Sequence, residues 1–209
     1  MEKDNIIFRE YRKEDREYIE DMIRKTWNYD KFCSPKVAKK MAKTYFINCF
    51  ANQTYTKVAT IENKVVGIIM GKQVKKFKCP IWLRIKQIIS NISIYLSKEG
   101  RSAIKIFGNV TKIDDMLLKE TNKNYDGEVA LFVMDLDYRG KGIGGKLFKY
   151  LLDYMKEIKA NEIFLFTDTS CNYKFYEHKG MNRRGEKKHT YNIAGQQADM
   201  TFFLYDLKI

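Results

Sequence analysis

The sequence predicts an α/β fold: a mixed central sheet of about seven strands, largely antiparallel and flanked by helices, with a helical insert in mid-chain. Three observations carry that expectation. Short β-rich runs alternate with apolar residues at helical spacing in both halves of the chain. Two runs, "EVALFVM" from Glu128 to Met134 and "EIFLF" from Glu162 to Phe166, are nearly continuous in apolar residues, as expected of strands covered on both faces. Two further β-rich runs, "KKHTYNI" and "ADMTFFLYDL", close the chain around Gly195. With 209 residues, 44% of them hydrophobic, there is enough apolar material for one packed core, and a single domain over 1–209 is expected.

Each element follows in order. "NIIFREY", Asn5 to Tyr11, reads as a first strand. Tyr18, Ile19, Met22, Ile23 and Trp27 then fall at helical intervals, with acids early and bases late, which suits the helix dipole. Ser34-Pro35 opens a second helix that runs to about Phe50 as an N-cap and first-position pair. "TYTKVATIENKVVGIIMGKQV" holds two β runs around Glu62-Asn63-Lys64, an antiparallel hairpin. From about 75 to 124 the chain is basic and helical. Ile81, Ile85, Ile88, Ile89, Ile92 and Leu96 form a stripe expected to pack on its own domain. Gly100 is expected to break that helix, and Ile104, Phe107, Met116 and Leu117 belong to a second helical piece. After Met134 come four glycines, then a helix carrying Leu147, Leu151, Met155 and Ile158, the 162–166 strand, and "NYKFYEHKG" as a short helix ending at Gly180.

The 39 Lys and Arg against 26 Asp and Glu leave a net charge of +13, which favours an anionic partner. Nucleic acid, an acidic membrane, a polyphosphate cofactor and a merely solvated lysine surface all fit. Cys33, Cys49, Cys79 and Cys171 form no metal-binding spacing, so free thiols in a reducing cytoplasm are expected, without a metal. No run reaches the ~20 apolar residues of a membrane span, and the N-terminus lacks the apolar centre of a secretion signal.

The glycines carry the functional signal. Gly140, Gly142, Gly144 and Gly145 lie between a buried strand and an amphipathic helix, beside Arg139 and Lys141. A turn of this kind aims main-chain N–H groups at an anion from the positive end of the helix, which suits phosphate. A Cβ at Gly142 or Gly144 is expected to hold the anion away. Gly140, Gly142 and Gly145 formally match the dinucleotide fingerprint, with Asp168 at about the right distance for its ribose acid, but too little chain follows for a doubly wound sheet. A Walker A loop fails because no Gly-Lys-Ser/Thr follows the required spacer.

Arg139-Gly140-Lys141-Gly142-Ile143-Gly144 resembles the R-x-x-G-x-G acyl-CoA signature of the GNAT N-acetyltransferase superfamily, and "FYEHKGM" resembles that family's later F-Y-E-x-x-G-F segment. The two stand at the family's usual separation, and the element order is similar over most of the chain; the 75–124 segment is longer than in many members. The resemblance implies acetyl-CoA as donor. It implies that the amides of Arg139, Gly140, Lys141, Gly142, Ile143 and Gly144 hold the pyrophosphate, with Gly145 and Lys146 continuing into the helix. It implies, too, that Phe132, Val133 and Met134 pair with the pantetheine arm, in a splay between the parallel strands 128–134 and 162–166. Asn172, four residues before Tyr176, resembles the asparagine that bonds that arm. Tyr176 matches the catalytic tyrosine, and Glu128 the general-base glutamate of the histone-acetylating branch.

Acetyl transfer to an amine needs an uncharged nucleophile, a stabilised oxyanion and a proton for the leaving thiolate. Glu128 would serve the first, a main-chain N–H at Val133 or Met134 the second, and Tyr176 the third. Cys171 raises a ping-pong alternative, but direct transfer in a ternary complex is the family's habit. His178 and His189 lack the setting of a base. The expected acceptor is a small-molecule or protein amine, with no nucleic-acid partner; a homodimer stays open, with the insert as lid, dimer face or acceptor wall. Two alternatives remain: a basic module that uses the insert on nucleic acid or membrane, and a CoA sensor without catalysis.

Overall fold

Strand and helix alternate as the patterning requires, and the computed structural model describes residues 5–193 and 196–209. Seven strands form one sheet in the order β1-β2-β3-β4-β5-β7-β6. They are β1 (Ile7–Arg9), β2 (Tyr55–Ile61), β3 (Lys64–Gln73), β4 (Gly127–Met134), β5 (Glu162–Asp168), β6 (Asn182–Ile193) and β7 (Gln196–Lys208). All neighbours are antiparallel except β4 and β5. The β2–β3 hairpin turns at Glu62 and Asn63, both at positive φ (49° and 64°), the conformation of a tight turn that matches strand twist. The closing turn expected at Gly195 lies outside the described residues.

The helices are α1 (Arg16–Thr26), α2 (Pro35–Phe50), α3 (Ile81–Tyr95), α4 (Lys98–Phe107), α5 (Val110–Glu120), α6 (Ile143–Glu157) and α7 (Lys174–His178). Two cores sit on opposite faces of the sheet. On one, Ile19, Ile23, Ala38 and Phe46 of α1 and α2 cover Ile68, Leu131 and Val133; on the other, Leu147, Leu151 and Met155 of α6 cover Ile69, Val129 and Ile163. Gly71 lets α6 lie close on β3, since a Cβ there would fall 2.3 Å from Leu151 Cδ1, and Gly67 makes room for Met134 of β4, whose Sδ would lie 2.3 Å from its Cβ. A third cluster joins Ile113 and Leu117 of α5 to Phe164, Phe202 and Leu204. The insert therefore runs from α2 across one face of the sheet to β6 and β7.

Two details of the insert depart from the sequence expectation. The 81–96 stripe does not pack inward: Ile81 is 80% exposed, Ile89 62% and Leu96 77%. The inner face is mixed: Leu83 and Ile94 are buried beside polar residues that bond α2, with Ser90 Oγ 2.7 Å from Thr44 Oγ1 and Asn91 in two hydrogen bonds with Asn48. The helix ends before Gly100, because Ser97 caps α4 by accepting the Gly100 N–H at 3.0 Å. Gly100 thus lies inside a helix. Ser34 and Pro35 stand at the N-cap and first position of α2 as expected, but the Ser34 Oγ donates to Glu99 at 2.8 Å rather than capping the helix, which ties the start of α2 to α4.

Candidate active site

β4 and β5 pair only at Gly127–Ile163 and Glu128–Phe164. Beyond Glu128 each strand stays with its outer neighbour, β4 with β3 as far as Met134 and β5 with β7 as far as Asp168, so the two diverge. The splay opens towards the glycine loop. A bulge opposite Met70 and Gly71 shifts the register of β4, so Val129 faces α6 while Leu131 and Val133 face α1 and α2. Asp135 N–H bonds Val66 O at 2.9 Å, and strand alternation then turns the main-chain groups of Val133 towards β3 and those of Phe132 and Met134 into the gap. Of the two amides considered for the oxyanion, Met134 is the one aimed at the splay.

At the head of α6, Gly140 and Gly142 both have φ of +78°, with open space where a Cβ would stand. Only glycine adopts that conformation without strain. Gly142 is the N-cap, Lys146 N–H makes its helical bond to Gly142 O at 3.2 Å, and the N–H groups ahead of it have no partner within the helix. No acid occupies the first turn. Gly144 sits over β4, where a Cβ would stand in ordinary contact with Phe132 Cζ at 3.4 Å.

Phe132 is where three elements meet. Its ring lies 5.4 Å from Phe175 and 6.5 Å from Tyr176, and both of these also contact Phe148 of α6. Burial raises the Tyr176 phenol well above its ordinary pKa, Cys171 and Asp168 add to the rise, and Arg139 opposes it. The hydroxyl therefore keeps its proton at neutral pH. Glu177 anchors the short α7 to the sheet by accepting from Tyr205 Oη and Arg183 at 2.7 Å each. Asn172 is exposed and precedes α7, whose first residue is Lys174; it does not share a helix face with Tyr176, because the intervening turn runs through Tyr173.

Glu128 stands at the closed end of the splay, on the α2 side. Burial raises its carboxyl pKa, and Lys72, 3.4 Å away, opposes the shift. Sequence reasoning missed Asp114 of α5. Burial, with help from Asp115, Asp168 and Glu128, raises it to about 7. The signal was present: Val110, Ile113 and Leu117 mark the apolar stripe of α5, and Asp114 lies on it. Burial also pushes the Cys171 thiol up to about 11, which leaves little thiolate for a ping-pong route. His178 is exposed and bonds Lys174 O, and His189 lies 3.4 Å from Asn109 Nδ2, neither with a carboxylate among its hydrogen bonds.

A sheet that opens at one parallel pair, with a positive helix terminus and a glycine turn beside the gap, defines a class of group-transfer fold. The profile of the Acetyltransferase (GNAT) family matches residues 16–181, and the chain belongs to that family. No curated protein sequence matches the chain. Among solved structures it is similar to an N-acetyltransferase from Staphylococcus aureus Mu50, at 15% identity over 98% of each chain and a TM-score of 0.53. The ribosomal-protein-S18-alanine N-acetyltransferase from Escherichia coli is 10% identical over 98% of this chain and 95% of that one, with a TM-score of 0.54. A protein from Pyrococcus horikoshii OT3 is 16% identical over 98% and 100%, with a TM-score of 0.60. At these identities the likeness is one of fold.

Proposed function

We propose that the chain transfers an acetyl group from acetyl-CoA to a primary amine by direct attack in a ternary complex. The observation that carries this reading is the divergence of β4 and β5 beyond Glu128, with the uncapped amides of α6 beside the gap. The donor fits the residues present: positive-φ glycines with open space above them, Arg139 and Lys141 alongside, and inward-turned main-chain groups at Phe132 and Met134. Bound there, acetyl-CoA supplies the thioester whose acetyl group is passed on. Glu128 takes the proton of the attacking amine, and burial makes it a stronger base than an exposed glutamate. The Met134 and Phe132 amides face the oxygen that gains charge when nitrogen attacks the carbonyl carbon. Tyr176 offers its proton to the sulfur as the carbon–sulfur bond breaks.

The acceptor is a cationic amine. Asp114 of α5 lies within electrostatic reach of Glu128 and Asp168, so α5 acts as a wall that brings negative potential to the α1/α2 face. One experiment tests donor and acceptor together: calorimetric titration with acetyl-CoA, then thiol release in the presence of polyamines, lysine peptides, aminoglycosides and neutral amines. Micromolar donor binding with turnover on multiply charged amines is expected. Donor binding without turnover on any amine would favour a CoA sensor, and no donor binding would remove the assignment.

A further inference from the structure

We infer that the outer face of α3 is a membrane-docking surface that lies in the plane of an anionic lipid bilayer. Leu83 and Ile94 are buried on the inner side of α3, yet most of its apolar residues face out. Gln87, Ser90 and Asn91 lie on its inner side, where Thr44 and Asn48 of α2 satisfy Ser90 and Asn91, and Lys40 donates to Ser93 O. Ile81, Ile85, Ile88, Ile89, Ile92 and Leu96 are all at least half exposed. At roughly 100° per residue, these six make one continuous apolar arc, too large an exposure to be the scattered hydrophobics of an ordinary surface.

The order of residues around the arc selects the occupant. Tyr95 borders it on one side and Trp82 on the other; beyond Tyr95 comes Arg84, and beyond Trp82 comes Lys86, whose Nζ lies 4.7 Å from the Trp82 ring centre. Cation, aromatic, aliphatic, aromatic, cation is the profile of a helix half-sunk in a headgroup layer: aliphatics deepest, amphipathic rings at the boundary, charges reaching to phosphate. From Val74 to Lys98 there are six Lys and Arg and no Asp or Glu. That balance complements anionic lipid and disfavours a second copy, which would set the flanking cations of one α3 against those of the other. At 15 residues, α3 is too short to cross a bilayer. It lies on one.

The test is co-sedimentation of the full chain with phosphatidylcholine vesicles, with and without phosphatidylglycerol. Association with the phosphatidylglycerol vesicles, weakening with salt and accompanied by a blue shift of tryptophan emission, is expected. Ile85→Ser combined with Ile89→Ser should lower partitioning at least about tenfold, and Arg84→Glu with Lys86→Glu should abolish the preference for anionic lipid. All four side chains are exposed, so acetyl-CoA affinity should stay at the parent's value and report that the variants are folded. No association of the parent protein, or association that the serine pair leaves unchanged, overturns the proposal. A lipid-independent dimer that the serine pair dissociates, without vesicle binding, assigns the face to a second copy and overturns it too.

Discussion

Tyr176 is held by its neighbours rather than by its own polar bonds: Phe132, Phe148, Phe175 and Tyr205 ring it, and burial keeps the phenol protonated. Removing only the hydroxyl leaves that packing in place. Tyr176→Phe should therefore lower the rate of thiol release by about 10²-fold while calorimetric acetyl-CoA affinity stays within error; equal rates would end its role as acid. Asp114 offers a second test at this scale. Its carboxyl titrates near 7, so it is charged, and attractive to a cation, only above that pH. Acceptor KM should fall as pH rises through 7, and Asp114→Asn should flatten that dependence and raise KM at pH 8. Because its folded-state pKa lies above the unfolded value, stability falls as the pH rises from about 4 to about 7, and the cost is complete above 7. The same variant should then be more stable at pH 8 by on the order of 1 kcal/mol in denaturant melts. No change in either measurement would take Asp114 out of the site. Its place was legible as an acid on an apolar helical stripe; that it comes within electrostatic reach of Glu128 was not, because spacing in sequence says nothing of how α5 docks on the sheet.

At the scale of elements, the strand-to-helix turn divides its glycines by physical role. Gly140 and Gly142 are needed for backbone conformation, whereas Gly144 has an ordinary backbone and lies against Phe132, with room for a Cβ but little more. Gly142→Ala should cost about 1 kcal/mol through left-handed strain, and Gly142→Glu should abolish acetyl-CoA binding in calorimetry by setting a carboxylate where the helix amides face an anion. Gly144→Val should instead displace Phe132 and reduce turnover more than donor affinity. The glycine pattern was plain in the sequence; the different reason for each glycine needed the angle at which α6 meets β4. The 81–96 stripe makes the complementary point. Its helical period was legible, but the stripe did not turn inward: α3 docks through Leu83 and Ile94 together with Ser90 and Asn91, which found partners on α2.

Across the whole molecule, Asp206 joins the insert to the sheet. It is 1% exposed, on β7, and accepts from Lys123 at the end of the insert at 2.7 Å and from Arg184 of β6 at 2.8 Å. Burial alone would raise its pKa; the two cations more than offset that and hold it below the ordinary aspartate value. A depressed pKa places this stabilisation at neutral pH and removes it as the pH falls below about 4. Asp206→Ala should lower unfolding stability by about 3 kcal/mol at pH 7 and narrow the gap between parent and variant at pH 3. A constant gap would show that the ion pairs contribute nothing beyond packing.

Local chemistry was enough for the main strands and helices, the hairpin at Glu62-Asn63 and the glycine turn, since each rests on periodicity or on residue types within a few positions of one another; the proposed pair Glu128 and Tyr176 came from the family resemblance instead. Tertiary structure alone decided where along β4 and β5 the pairing stops, which amide points into the gap, and which face of α3 meets solvent. Those depend on the register and docking of segments far apart in the chain, and a one-residue shift in β4 reverses every side chain beyond it.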